Sequence, residues 1–186
     1  MDQFNYLAVL ISIILGLGIT QLLSGFGRWV EQRSSFRAYG PSVCWAAILL
    51  VTHVQTWWSM FTLREQEEWT FLEFWFVLLP PIILYLLSIL VLPGATSTGM
   101  NLRESYYAQR RWFFGLLMAL LLASISKDIV LTGSLPEAAN LVFHTLLFVL
   151  SGIALFSERE AFHKFLAYAS AASVAIYIWL LFGHLQ

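Results

Sequence analysis

The sequence predicts an all-α membrane protein: a polytopic bundle of six transmembrane helices in one domain, residues 1–186, with both termini on the outer side. Its composition indicates this class, because 59% of the residues are hydrophobic and only 11% are charged. A soluble domain carries about 25% charged residues. The apolar residues also fall into six runs of about 20, the length that crosses a bilayer as a helix. Helices are expected because lipid offers no partner to an open sheet edge.

The predicted helices follow these six runs, and two boundaries carry additional signals. The approximate positions are residues 6–29, 42–63, 71–92, 105–131, 138–156 and 162–182. Gly40-Pro41 precedes the second run, and proline is favoured in the first turn of a helix. Asn101 and Glu104 have the spacing of a capping box, so the fourth helix is expected to begin before its apolar run.

The basic residues predict how the bundle is oriented. Eight of them lie near the segments after helices 1, 3 and 5: Arg28, Arg33, Arg37, Arg103, Arg110, Arg111, Arg159 and Lys164. Only Arg64 and Lys127 fall on the opposite side. Because cytoplasmic loops are enriched in lysine and arginine, the side with eight basic residues is predicted to be cytoplasmic, which leaves both termini outside. No basic residue precedes the first run, a pattern typical of a retained reverse anchor rather than a cleaved signal peptide.

Charge, cysteine content and missing motifs exclude several functions. A net charge of −1 argues against a nucleic-acid partner. Cys44 is the only cysteine, which excludes an intramolecular disulfide and a cysteine-based zinc site. The sequence contains no glycine-rich phosphate loop, no Gly-x-Ser-x-Gly elbow and no His-Glu-x-x-His pair. An enzymatic role is therefore less favoured than transport or binding.

A row of small and polar residues recurs at every fourth position of the first helix. Ser12, Gly16, Thr20 and Ser24 stack on one face at this spacing. Such a face predicts either close packing against another helix or the polar lining of a pore. Gln21 lies off this face and needs a partner of its own. The sixth helix is also rich in small residues, which suits an oligomer contact.

The second helix carries the best candidate site, around His53. An ionisable residue at membrane depth is a functional-site hypothesis by default. Gln55 lies two residues further on, and Trp57 shares a helix face with His53. On the fifth helix, Asn140 and His144 are likewise four residues apart. Counted from the outer boundary, the two histidines lie at similar depth, so a contact between helices 2 and 5 is a hypothesis.

Two facing histidines would support more than one chemistry. They can ligate haem iron, bind a divalent metal with help from Gln55 or Asn140, or relay protons. The alternative is that each histidine makes a hydrogen bond within the bundle, with tryptophan packed around it. The sequence slightly favours this packing role, and it leaves the choice between haem, a metal and no cofactor open.

The two halves of the chain show a short internal similarity. Residues 71–74 (Phe-Leu-Glu-Phe) and 165–168 (Phe-Leu-Ala-Tyr) align at an offset of 94 residues, close to half the chain. The three helices of the first half would then be oriented opposite to the three helices of the second half. This arrangement, a 3+3 inverted repeat, is common in transporters and is a hypothesis here.

Three stretches together resemble a known group of sequences. They are Leu15–Leu23 (Leu-Gly-Leu-Gly-Ile-Thr-Gln-Leu-Leu), His53-x-Gln55-x-Trp57-Trp58 and Arg110–Phe114 (Arg-Arg-Trp-Phe-Phe). In these stretches the chain resembles an uncharacterised family of short six-helix bacterial integral membrane proteins without an assigned activity. The resemblance covers nearly the whole chain. It implies location in the bacterial inner membrane and adds no mechanism.

The favoured function is passage of an ion or small solute across the membrane by a homo-oligomer within the lipid bilayer. The residues expected to line a pore or bind a ligand are Thr20, Gln21, His53, Gln55, Trp57, Asn140 and His144. One alternative is an intramembrane redox subunit that binds haem or a metal through His53 and His144. A second alternative is an accessory subunit of another membrane complex.

Overall fold

The computed structural model describes residues 3–31, 38–66, 68–92 and 101–182. All regular structure in this part of the chain is helical, which confirms the predicted all-α class. The α-helices are α1 (Gln3–Glu31), α2 (Gly40–Ser59), α3 (Phe71–Val91), α4 (Leu102–Thr132), α5 (Ala138–Phe156) and α6 (Glu160–Phe182). Arg33, Arg37 and both ends of the chain lie outside the described residues.

Four of these helices are long and apolar enough to cross a membrane. They are α1 from Phe4 onward, α3, α4 and α5, with mean hydropathies of 1.9 to 2.5 in their most apolar windows. Within the described residues, α2 and α6 do not meet the same criterion. The α2 sequence contains Gly40, Pro41, His53 and Gln55, which lower its mean hydropathy. Membrane-spanning by these two helices therefore stays a prediction.

The second helix ends earlier than the sequence suggested. The α-helix stops at Ser59 and the chain continues as a short 3-10 helix, Met60–Glu65. Hydroxyl groups contribute to this change: Ser59 Oγ donates to Thr56 O at 2.9 Å and Thr62 Oγ1 donates to Ser59 O at 2.8 Å. Local bonds of this kind offer the backbone an alternative to regular α-helix, and 3-10 turns are common at helix ends.

Side-chain caps define the starts of α3 and α4. Thr70 and Glu73 form a complete capping box, in which Thr70 N donates to Glu73 Oε2 at 2.7 Å. Asn101 Oδ1 accepts from Arg103 N at 3.1 Å, and Asn101 Nδ2 donates to Glu104 Oε1 at 2.8 Å. The expected early start of the fourth helix is thereby confirmed, and α4 begins at Leu102.

α3 lies at the centre of the bundle. It packs against α1, α2 and α4, while α4 also contacts α5 and α2 also contacts α6. Pro80 and Pro81 are buried inside α3, and Leu84 and Leu87 on the same helix are fully buried. The two halves differ, because α1, α2 and α3 all contact one another whereas α6 packs mainly on α2. The inverted repeat stays a prediction.

Candidate functional site

His53 is fully buried and its ring faces α1. Its Nδ1 lies 2.7 Å from the carbonyl oxygen of Leu49. A carbonyl only accepts, so Nδ1 carries the proton and Nε2 presents a lone pair. Nε2 is buried and has no hydrogen-bond partner in the described part of the protein. A side-chain carbon at Gly18 would overlap Nε2, so the glycine hydrogen on that side points at the nitrogen.

This environment suits helix packing rather than ligand binding by His53. The imidazole lies against the Gly18 backbone, which leaves no room at Nε2 for a ligand between α1 and α2. Among the described residues, no group of three or more histidine, cysteine, aspartate or glutamate side chains is placed to hold a metal ion. A Cα–H directed at a nitrogen lone pair is at most a weak hydrogen bond.

His144 does not face His53. It is half-buried on α5, its Nδ1–H donates to Asn140 O at 2.9 Å, and its ring lies edge-on to Phe143. α5 packs against α4 and α6, whereas the His53 ring points to α1. No hydrogen bond or ring contact joins the two histidines in the described structure. The hypothesised pair of facing histidines is therefore not formed.

The remaining predicted ligand and pore residues do not converge on His53 either. Gln55 is half-buried, and Trp57 is 47% exposed with its ring edge against Phe61. Asn140 is exposed on α5. Thr20 is exposed and Gln21 half-buried on α1. These residues thus lie on three helices without forming a common cavity around the histidine.

The two faces of α1 differ sharply in what they contact. One face is buried against the bundle through Leu7, Ile11, Leu15, Gly18 and Leu22. The opposite face, which we call the α1 outer face, exposes Asn5, Ser12, Gly16, Thr20 and Ser24 among apolar residues. A groove of about 650 Å3 runs along its first turns.

The hydroxyls of the α1 outer face differ from those elsewhere in the bundle. Thr52, Thr56 and Ser88 donate to the carbonyl four residues earlier at 2.8, 2.8 and 2.9 Å, which satisfies each hydroxyl within its own helix. In the described residues, Ser12 and Thr20 make no such bond. The polar atoms of this face therefore remain available to a partner outside the bundle.

A polar cluster that the sequence did not reveal lies where α2, α4 and α6 begin. This tyrosine–histidine cluster comprises Tyr39, Tyr106, Tyr107 and His163. Tyr39 Oη lies 3.2 Å from Tyr107 Oη. Tyr106 Oη lies 2.9 Å from His163 Nδ1, and His163 Nε2 lies 2.9 Å from Ser157 O. His163 is fully buried.

The hydrogen bonds of His163 fix its tautomer. Nε2 must carry the proton because its partner is the carbonyl of Ser157, and Nδ1 therefore accepts from Tyr106 Oη–H. Burial lowers the pKa of the His163 imidazole below its usual value, and the positive charge of Arg110 lowers it further, against the opposing effect of the Ser157 bond. Burial at this site thus favours the neutral ring over the imidazolium.

Ion pairs surround the tyrosine–histidine cluster. Arg103 Nη2 lies 2.9 Å from Glu160 Oε2, and Glu160 also pairs with Lys164 at 2.8 Å. Arg110 Nη2 lies 2.6 Å from Glu158 Oε1. A cavity of about 360 Å3 opens beside them. The pairs of Arg103 and Arg110 tie α4 to the segment that starts α6.

One signal for this cluster was present in the sequence. Tyr39, Tyr106-Tyr107 and His163 all lie at the starts of even-numbered helices, which the predicted topology places at one end of the bundle. Their side-chain contacts depend on helix rotation, which that topology does not specify. No protein-family model matches the chain, and comparisons with curated proteins and with solved structures find no significant match.

Proposed function

We propose that the protein passes an ion or small solute across the bacterial inner membrane as a homo-oligomer, with the α1 outer face lining the path. The observation that carries this proposal is the row of exposed Ser12, Gly16, Thr20 and Ser24 along an otherwise apolar helix. In lipid, a polar group without a partner is costly. Water in a shared pathway, or a neighbouring copy, would supply that partner.

Substituted cysteines test whether water or lipid surrounds the α1 outer face. Cys44 is the only native cysteine, so Cys44→Ser gives a cysteine-free background, and serine can keep the bond from position 44 to Ala167 O. Single cysteines are then placed at positions 16 and 20. We expect both to react with a charged, membrane-impermeant thiol reagent, and we expect the reaction to reduce ion flux into proteoliposomes.

A matched control is a cysteine at Val149, which is 53% exposed on α5 and has apolar neighbours. A lipid-facing cysteine should react slowly with a charged reagent because the thiolate forms poorly in lipid. Equal reactivity at positions 16, 20 and 149, or flux equal to that of empty vesicles over a panel of ions, would count against a pathway along α1.

The α1 outer face also favours a second candidate function, assembly with a different membrane protein. Small residues allow close approach of a partner helix in lipid. Purification in mild detergent separates the two functions. A homogeneous homo-oligomer supports the first, whereas a monomer that recovers a defined partner from native membranes supports the accessory-subunit role.

The proposed topology has its own test. We propose six spans with the starts of α2, α4 and α6 on the cytoplasmic side, supported by the basic residues Arg103, Arg110 and Lys164 at that end. Alkaline phosphatase fused after Gln186 should then be active, because it folds only outside the cytoplasm. A fluorescent protein fused at the same position should stay dark, and the reverse result would invert the orientation.

A further inference from the structure

A cavity beside the start of α4 combines charges of both signs. Its volume is about 360 Å3. Two guanidinium groups, two carboxylates and a phenol ring line it: Arg103, Glu104, Tyr107, Arg110 and Glu158. The formal charges cancel. A cavity of this composition suits a ligand that also carries one group of each sign.

Arg110 is the buried member of this set. Its side chain is only 10% exposed, and its Nη1 donates to Tyr107 O at 3.3 Å. Its Nε is buried without a hydrogen-bond partner in the described structure. The carboxylate that neutralises it belongs to Glu158, whose side chain is 75% exposed. A buried cation is thus paired with a counter-ion that reaches it from solvent.

In such a pair, another anion can replace the exposed carboxylate. An exposed carboxylate gains little from a surface ion pair, whereas the buried guanidinium needs an anion to offset its loss of hydration. Glu158 lies in the short connection between α5 and α6, so its side chain can swing away without moving either helix. An incoming oxyanion would take its place and can also use the free Nε–H.

We propose that this cavity binds the headgroup of a zwitterionic phospholipid, with its phosphate on Arg110 and its ammonium group on Glu104 and Glu158. The planar guanidinium matches two phosphate oxygens at once. Pockets with basic residues between helices at the cytoplasmic side bind lipid headgroups in membrane proteins. The two carboxylates remain at the rim and repel a headgroup of net negative charge.

The level of the cavity along the bundle favours a membrane lipid over a soluble phosphodiester. Trp112, two residues after Arg110, is 73% exposed, and Phe156, two residues before Glu158, is 76% exposed. Two residues of helix rise only about 3 Å, so Trp112 lies at nearly the same level of the bundle as Arg110 although it points to another side of α4. Large exposed aromatic side chains at one level of a helical bundle are typical of the membrane interface, the depth at which phospholipid headgroups lie.

The test is lipid retention by the full chain in native mass spectrometry. Detergent-purified protein is mixed with equal concentrations of phosphatidylethanolamine and phosphatidylglycerol. We expect phosphatidylethanolamine to be retained preferentially and R110Q to lower its retention about tenfold or more, the scale of losing charge-assisted hydrogen bonds. R111Q is the matched control because it removes the same charge one residue away, on an exposed side chain outside the cavity.

Two further variants and a soluble competitor complete the test. R110K keeps the charge and loses the planar fork, so it should fold and still retain less lipid. E158Q removes the internal competitor and a rim charge, so phosphatidylglycerol should bind it more tightly than the wild-type protein. Equal retention by R110Q and R111Q, or preference for phosphatidylglycerol in the wild-type protein, would overturn the assignment. Equal competition by glycerophosphoethanolamine would also overturn it, since the ligand would then be soluble.

Discussion

Gly18 and His53 show how one missing side chain lets two helices meet. The imidazole is fully buried and its Nε2 occupies the space that a Cβ at position 18 would need. The backbone of α1 at Gly18 and the His53 ring on α2 are therefore in direct contact, with no side chain between them. The bond from Nδ1–H to Leu49 O keeps the ring in this orientation.

Gly18→Ala should destabilise the protein by about 1–3 kcal/mol, because overpacking a filled site forces side chains or backbone to shift. The measurement is thermal unfolding of the purified protein in detergent. Gly16→Ala is the control, since an added Cβ there meets no atom within 4 Å. We expect Gly16→Ala to raise stability by up to about 1 kcal/mol, because alanine has the higher helix propensity. Equal effects of both substitutions would contradict the close contact at His53.

His163 makes the stability of the bundle depend on pH. Burial keeps its folded-state pKa below 6.5, the value for the unfolded chain. The neutral imidazole contributes to the free energy of unfolding, and this contribution is fully present above the pKa of the unfolded chain. It is lost as the pH falls through that value toward the folded-state pKa, because the unfolded chain then binds more protons than the folded chain. Unfolding midpoints should therefore fall when pH is lowered from about 7.5 to about 5.5.

The variant His163→Gln isolates this effect from the other histidines. Glutamine can still donate to Ser157 O but does not titrate. We expect the variant to be less stable at neutral pH and to show a weaker dependence on pH between about 5.5 and 7.5. An unchanged pH dependence in the variant would assign the titration to another group.

The surroundings of some residues can be predicted from the sequence and those of others cannot, and the reason is physical. The sequence identified His53 as a residue at depth, and the structure buries it completely. It did not identify Gly18 as its neighbour, because the contact depends on how α1 and α2 are rotated about their axes. Nor did it reveal that His163, near the start of α6, bonds Tyr106 and Ser157, because those contacts depend on how α4, α5 and α6 pack.

At the scale of whole elements, the start of α3 depends on a capping box. Thr70 Oγ1 accepts from Glu73 N, and the Glu73 carboxylate accepts from Thr70 N and Thr70 Oγ1. The Thr-x-x-Glu spacing is present in the sequence at positions 70 and 73. Apolar periodicity identifies the body of a helix, but it does not reveal the hydrogen bonds at the ends of the helix.

Thr70→Ala should cost about 1 kcal/mol, the usual effect of removing an N-cap hydroxyl. The change is measured as the thermal unfolding midpoint, with circular dichroism to check helix content. Thr62→Ala is the matched control, because Thr62 is also exposed and its hydroxyl bonds only Ser59 O at the end of the 3-10 turn. A larger loss at position 62 than at position 70 would show that the cap is not what stabilises α3.

At the scale of the molecule, composition predicted the helical class and the approximate positions of six helices. Composition cannot predict which helices touch, because lipid-facing and protein-facing apolar side chains are chemically alike. The central position of α3 and the packing of α6 on α2 therefore emerged only from the structure. The α1 row was predicted as a face, and the structure turns it away from the bundle.

A bulky substitution on the α1 outer face should weaken self-association without unfolding the protomer. Gly16→Leu adds bulk where the α1 helices of neighbouring copies would surround the path, while nothing within 4 Å of the added Cβ belongs to the same bundle. Native gel mobility or mass should shift to a smaller species. Val149→Leu on α5 is the control and should leave the assembly intact. An unchanged mass for Gly16→Leu would remove this face from the oligomer contact.

The ring of His163 lies among four other aromatic rings. The ring-centroid distances to Tyr106, Tyr107, Phe114 and Phe162 are 5.4, 5.4, 5.6 and 5.8 Å. Aromatic ring currents at such distances displace proton resonances, so the imidazole protons of His163 should be shifted away from those of the other histidines in a magnetic resonance spectrum. The resonances of the His163 ring therefore report on the packing at the starts of α4 and α6, and no label has to be added.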